Sequence, residues 1–144
     1  MNPWLQTAAC FAAAVGFSLM LNQPRGTILV SSLVAAAGYG VFLLLGQSTA
    51  AYFFATLLIA VSCEICARIM KKVATLFLTS ALIPLVPGVG LYRTMRYIVE
   101  GAFYQAVKTG TDTLLGIFAI ALAIIISSLF FVNFHRAPRK GTRP

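Results

Sequence analysis

Acidic residues are nearly missing from this sequence: Asp and Glu together number three in 144 residues, against 11 Lys and Arg. Charged residues of either sign make up 10%, far below the roughly one quarter of an ordinary soluble domain. That scarcity argues against a soluble enzyme with its own core. There is one histidine. No Ser/His/Asp set, HExxH, Walker A or GxGxxG pattern is present, so no catalytic residues, metal ligands or cofactors are expected. Three cysteines do not make a disulfide scaffold. Cys63 and Cys66 have the CxxC spacing, but they sit in an apolar run with no second pair. They read as small packing residues, as does Cys10.

Hydrophobicity is what the chain has in excess. Apolar residues make up 60% and the mean hydropathy is +0.91, which also rules out disorder. A bilayer crossing takes about 20 residues, so the length allows about five or six crossings at most. The expected fold is an all-α integral membrane protein with about five transmembrane helices. The apolar runs cover residues 3–21, 27–45, 49–70, 74–91 and 113–134. A short amphipathic helix is expected at 92–108 and a basic cytoplasmic tail at 135–144. Two stripes of small residues, Ala8/Ala12/Gly16 and Ser32/Ala36/Gly40, have the four-residue spacing that suits close helix packing.

The amphipathic stretch carries Arg93, Arg96, Glu100, Tyr104 and Lys108 on one helical stripe, placed either at the interface or along a polar pathway. Gly110-Thr111-Asp112 reads as a turn and N-cap before the last span. The net charge of +8 does not indicate nucleic acid, because no basic face with interleaved aromatics exists. The basic residues instead flank apolar runs. Five crossings put Arg25, Arg68, Lys71, Lys72, Arg136, Arg139, Lys140 and Arg143 on one side and Arg93, Arg96 and Lys108 on the other. The positive-inside rule then places the N-terminus outside and the tail in the cytoplasm, against anionic lipid. A re-entrant fourth run, with four crossings, is the alternative and puts the basic tail outside.

Two constellations carry functional expectations. Glu64 and Arg68 stand four residues apart in the third run, the better orientation for an ion pair. A carboxylate at that depth usually faces a bundle interior or a polar pathway; a structural ion pair is the bland reading. The fourth run is interrupted by Pro84-Leu85-Val86-Pro87-Gly88-Val89-Gly90. Two prolines and two glycines there exceed what a kink needs. Broken membrane helices often mark the substrate site of a transporter.

With these residues in view the chain resembles the threonine/serine exporter family, in its C-terminal, small-subunit-like half. The resemblance rests on Cys63-Glu64-Ile65-Cys66-Ala67-Arg68, a short basic link, Ala74-Thr75-Leu76-Phe77-Leu78, Ile83-Pro84-Leu85-Val86-Pro87-Gly88, and Leu91-Tyr92. It implies a bacterial inner-membrane secondary exporter of small polar metabolites: threonine and serine, or a dicarboxylate such as succinate. It also implies a larger partner subunit. The motif positions carried over are Glu64, Arg68, Pro84, Pro87, Gly88 and Tyr92; Gly90 lies within the same break, and Arg93, Arg96 and Glu100 form the adjoining polar stripe. Glu64 is the best carboxylate for proton coupling, since Glu100 can pair with Arg96 and Asp112 is expected to cap a helix. Two rivals are a non-transporting assembly subunit and a self-sufficient homo-oligomeric exporter.

Overall fold

The computed structural model describes residues 2–135, with side chains through residue 131. The tail expected to carry Arg136, Arg139, Lys140 and Arg143 lies outside the described residues. The described chain is entirely helical: α1 (Pro3–Met20), α2 (Arg25–Leu44), α3 (Thr49–Ile69), α4 (Ala74–Leu82), a 3-10 turn (Ile83–Leu85), α5 (Gly88–Val99) and α6 (Phe103–His135). Four helices, α1, α2, α3 and α6, are long and apolar enough to cross a bilayer. Ala74–Leu85 and Gly88–Val99 together pass as a fifth, broken span bent by 44°. The chain is an all-α membrane protein.

Four helix ends share one stop. At Asn22, Gly46, Lys71 and Gly101 the backbone turns left-handed. The next N–H then reaches back across the last turn: Gln23 to Ser18, Gln47 to Phe42, Lys72 to Ala67 and Ala102 to Tyr97. This closure satisfies carbonyls that lipid or protein would otherwise strand. Gly101, and not Gly110, is the stop that follows α5. The amphipathic stretch is not one helix over 92–108. It is α5, ending at Val99, and the first turns of α6. Gly110-Thr111-Asp112 is not a turn but continuous helix. The physical reason is that Gly101 adopts φ +73 at no steric cost, whereas Gly110 stays helical and faces Thr94 of α5.

The core is built from small residues. On α1 the buried positions are Cys10, Ala14 and Ser18, and on α2 they include Ser31, Ser32, Ala35, Gly38 and Phe42. The expected stripe Ala8/Ala12/Gly16 is exposed instead, and Ala36 and Gly40 are only half-buried. α3 is the central element, packed on α2, α4 and α6, and Ala51, Ala55, Ile59, Cys63 and Ala67 are its buried face. Gln23 leaves the α1–α2 link and enters the bundle. Its amide donates to the Leu76 carbonyl and to Ser80 Oγ (3.1 Å), and its Oε1 accepts from Ser31 Oγ (3.4 Å). This ties α4 to α2 at the end opposite the α2–α3 link.

The two ends of the described chain fall at opposite ends of the bundle. Gln6 of α1 shares a cavity with the α2–α3 link. Phe131 of α6 lies against Arg68, at the far end of α3. α3 and α6 therefore run side by side in the same direction, and an odd number of crossings suits this geometry.

Gly38 is the tightest contact in this packing. A Cβ there would meet Ile59 Cγ1 at 2.3 Å and Cδ1 at 2.4 Å, and Ile59 is fully buried. Gly38→Ala should cost about 1–3 kcal/mol by overpacking, read as a lower thermal midpoint in detergent. Gly40→Ala, whose nearest neighbour would be Thr7 Cγ2 at 3.9 Å, should leave that midpoint unchanged.

Candidate functional site

The helix break has a local cause. Pro84 follows Ile83 at the end of α4 and tightens the chain into the 3-10 turn. Val86 is then extended, with ψ 131, and Pro87 has ψ 57. Neither value is helical. α5 restarts at Gly88, whose own N–H turns back to the Val86 carbonyl at 2.7 Å, and the positive dipole end of the helix lies at the break.

That break faces a cavity of about 670 Å³, within the range of small-molecule sites. Pro84, Pro87, Gly88, Gly90 and Arg93 line it. Tyr39 and Phe42 of α2 and Tyr52 of α3 form an aromatic wall, with ring centroids 5.9 Å apart for Tyr39–Phe42 and 4.5 Å for Phe42–Tyr52. α6 adds Thr109, Asp112 and Thr113, while Gln6 and the α2–α3 link add further polar groups. One cation, Arg93, and one carboxylate, Asp112, thus line the same space. They make no ion pair with each other among the described residues, which leaves both open to a ligand.

The hairpin of α5 and α6 sets the width of the cavity. Gly90 lies directly on Thr113: an added Cβ would fall 2.4 Å from its Oγ1. One turn on, Gly110 lies on Thr94, with 3.1 Å to Cγ2. Thr94 and Thr113 turn their hydroxyls to their own helix carbonyls, Gly90 and Thr109, at 2.8 and 2.7 Å. Thr94 thus turns its methyl to Gly110, while Thr113 sets both Oγ1 and Cγ2 against Gly90. Gly88 differs, with nothing within 4 Å of its would-be Cβ; bulk added there would enter free space rather than protein.

The other expected positions divide into three groups. Tyr92, Arg96 and Glu100 are exposed on α5 and do not line the cavity. Arg96 Nε bonds Glu100 Oε1 at 2.7 Å, closing the last turn of α5. Glu64 and Arg68, four residues apart on α3, make no ion pair among the described residues. Arg68 reaches the end of α6, 4.7 Å over the Phe131 ring, and donates to the Phe131 carbonyl at 3.3 Å. A guanidinium at a helix end finds a ring face and a carbonyl there without leaving the polar boundary. Glu64 lies half-buried beside a second, much smaller cavity between α3, α4 and α6. Asp112 and the Tyr39/Tyr52 wall were not read from the sequence as site residues. In sequence Asp112 stands out only as one of three acidic groups, at a position that suits a helix cap.

A bundle of apolar helices, one of them broken against a polar cavity, defines a membrane transporter in shape. The family sequence model described as Threonine/Serine exporter, ThrE matches residues 6–130, and the chain belongs to that family. It is a transporter of the threonine/serine exporter type. Comparison with curated proteins and with solved structures returns no match.

Gly90→Ala should force α5 off α6 and lower the thermal midpoint by the equivalent of about 1–3 kcal/mol. Adding Thr113→Ala, which removes the two nearest atoms, should restore most of the loss. Strict additivity of the two changes would contradict a direct contact.

Proposed function

We propose that this chain is the small subunit of a proton-coupled secondary exporter whose substrate is a small zwitterionic amino acid, threonine or serine. The observation that carries the reading is the shared lining of Arg93, Asp112 and the α5 N-terminus around one cavity. An α-carboxylate suits the guanidinium and the helix dipole. An α-ammonium suits Asp112. Threonine and serine hydroxyls match a wall of tyrosine, threonine and serine groups. A dicarboxylate such as succinate fits less well, because one of its two negative charges would meet that of Asp112.

Proton coupling is assigned to Glu64. It is the carboxylate of a membrane-spanning helix that neither pairs with a cation among the described residues nor lines the substrate cavity: Glu100 is paired and Asp112 lines that cavity. A larger partner subunit is supported by α1, whose Ala8, Ala12 and Gly16 stripe is exposed on the outer face. Small residues at that spacing let a second membrane helix approach closely. Export across a bacterial inner membrane, with the bundle end bearing Arg25, Lys71 and Lys72 in the cytoplasm, follows the charge split.

The transport test uses the chain reconstituted with and without its co-purified partner. The complex should export threonine and the chain alone should not. In the complex, Arg93→Ala and Asp112→Asn should each reduce export at least about tenfold, the size of one lost charge-assisted contact. Full export by both variants would remove the cavity from the pathway. Transport by the chain alone would favour a homo-oligomer.

Orientation is checked separately. A reporter active only outside the cytoplasm, fused after Pro144, should be silent, and the same reporter fused before Met1 should be active.

A further inference from the structure

The second cavity lies between α3, α4 and α6, lined by Glu64 and Cys63, by Ala74 and Leu78, and by Ser127 and Ser128. Its volume is about 10 Å³, room for one water molecule. Ser127 is 2% exposed, and its Oγ is buried with no hydrogen-bond partner among the described residues. Ser18 Oγ and Thr56 Oγ1 are also buried without a partner, but neither lines this cavity, whereas Ser127 does. The hydroxyls of Ser31, Ser32, Thr79, Thr94, Thr111 and Thr113 all donate to the carbonyl four residues back. Ser127 leaves that local partner unused and a buried donor open, which is costly unless something in the cavity takes the bond. Across the same cavity Glu64 makes no ion pair or side-chain hydrogen bond among the described residues. A hydroxyl without an acceptor and a carboxyl without a donor line one water-sized space.

We infer that this cavity is a hydrated proton-binding site, in which one water bridges the Glu64 carboxyl to the Ser127 hydroxyl. The inference rests on the proton-coupled reading above and names the site that reading needs. Loading forms one O–H bond on a Glu64 carboxyl oxygen with a proton delivered through the water; release breaks that bond and returns the proton, and nothing else is consumed. The surroundings hold no competing carboxyl among the described residues. α4 contributes only Ala74 and Leu78, and α6 contributes Ile124 and two serine hydroxyls. On α3 the Cys63 thiol adjoins Glu64, and Arg68 is engaged with Phe131. Lys71 and Lys72 stand beyond it in the α3–α4 link. One carboxylate and two hydroxyls around one water fall well short of the six or so oxygens a hard metal cation collects. The site also has a mechanical consequence. α4 walls this cavity with Ala74 and Leu78, and the 3-10 turn at its far end walls the substrate cavity with Pro84 and Leu85. Protonation and substrate binding therefore bear on one short helix.

The test is infrared difference spectroscopy of the full chain in phospholipid nanodiscs, cycled between acid and alkaline buffer. Three acidic side chains keep the carboxyl region simple. One protonated-carboxyl band should vanish in Glu64→Gln. In Ser127→Ala that band should move to higher wavenumber, as a carbonyl that has lost a hydrogen bond does, and Ser127→Thr should return it. A weakly bonded water O–H band should accompany it in the wild-type chain, shift in heavy-oxygen water, and disappear in Ser127→Val, which fills the space. Absence of the water band from the wild-type chain overturns the inference even if Ser127→Ala does not fold, as does a Glu64 band indifferent to Ser127→Ala in a folded chain. Threonine counterflow by the complex separates the two proposals. Counterflow without a Ser127-sensitive band sinks the proton site alone; the band without counterflow sinks the exporter reading alone.

Discussion

A helix in lipid must keep its backbone paired, and at Val86 and Pro87 this chain leaves the helical conformation, closing Val86 N–H on Leu82 and Gly88 N–H on Val86 in place of a continuous ladder. The remaining architecture follows from where that departure can be tolerated. Freed backbone groups need protein or water beside them, so the break lies against a polar cavity rather than an outer face. The cavity in turn needs walls. α2 and α3 supply the aromatic side, and α6 supplies the polar side. The bend of 44° then carries α5 onto α6, where Gly90 against Thr113 and Gly110 against Thr94 bring the two backbones close. Helix association in a membrane has no hydrophobic drive of its own, and such close approach supplies the van der Waals contact that replaces it.

The half of the fourth span before the break is held differently. α4 is only nine residues long, too short to be stable by itself. It is anchored at its start by Gln23, whose amide bridges Leu76 and Ser80 while accepting from Ser31. Buried polar links of this kind are directional, so α4 has a defined position before the chain tightens into the 3-10 turn at Ile83–Leu85. A short helix so held, with the large cavity at one end and the Glu64/Ser127 cavity along its flank, suits a family whose task is to move a solute across a bilayer.

Charge is used sparingly and by position. Arg96 and Glu100 neutralise each other on an exposed turn, which adds little stability but closes the helix before Gly101. Arg68 has its stem along α3 and its head on Phe131 at the bundle end. Arg93 and Asp112 are left to the large cavity, and Glu64 to the small one. The scarce acidic residues thus fall into separate settings, one exposed and paired, one in a wide polar space, one in a narrow space beside a lone hydroxyl.

The class of protein was legible from local properties. Apolar length reports a bilayer directly, and Pro84 to Gly90 breaks a helix whatever surrounds it. The motif around Glu64, Arg68 and the break pointed to the family that the match over residues 6–130 then established. Which faces meet was not legible. On α1 the buried stripe is Cys10/Ala14/Ser18, not Ala8/Ala12/Gly16, because a helix that is apolar all round carries no contrast between a lipid face and a protein face. The helix stops at Gly101, where glycine takes a positive φ, while Gly110 runs on in helix against Thr94. Asp112 reads in sequence as a cap and becomes a cavity wall only because α6 continues through it and α5 folds back beside it. Ser127 carries no sequence signal at all. Its unpaired hydroxyl and its position opposite Glu64 arise from the packing of α3, α4 and α6, since a hydroxyl's hydrogen-bond partner depends on what the third dimension brings within reach.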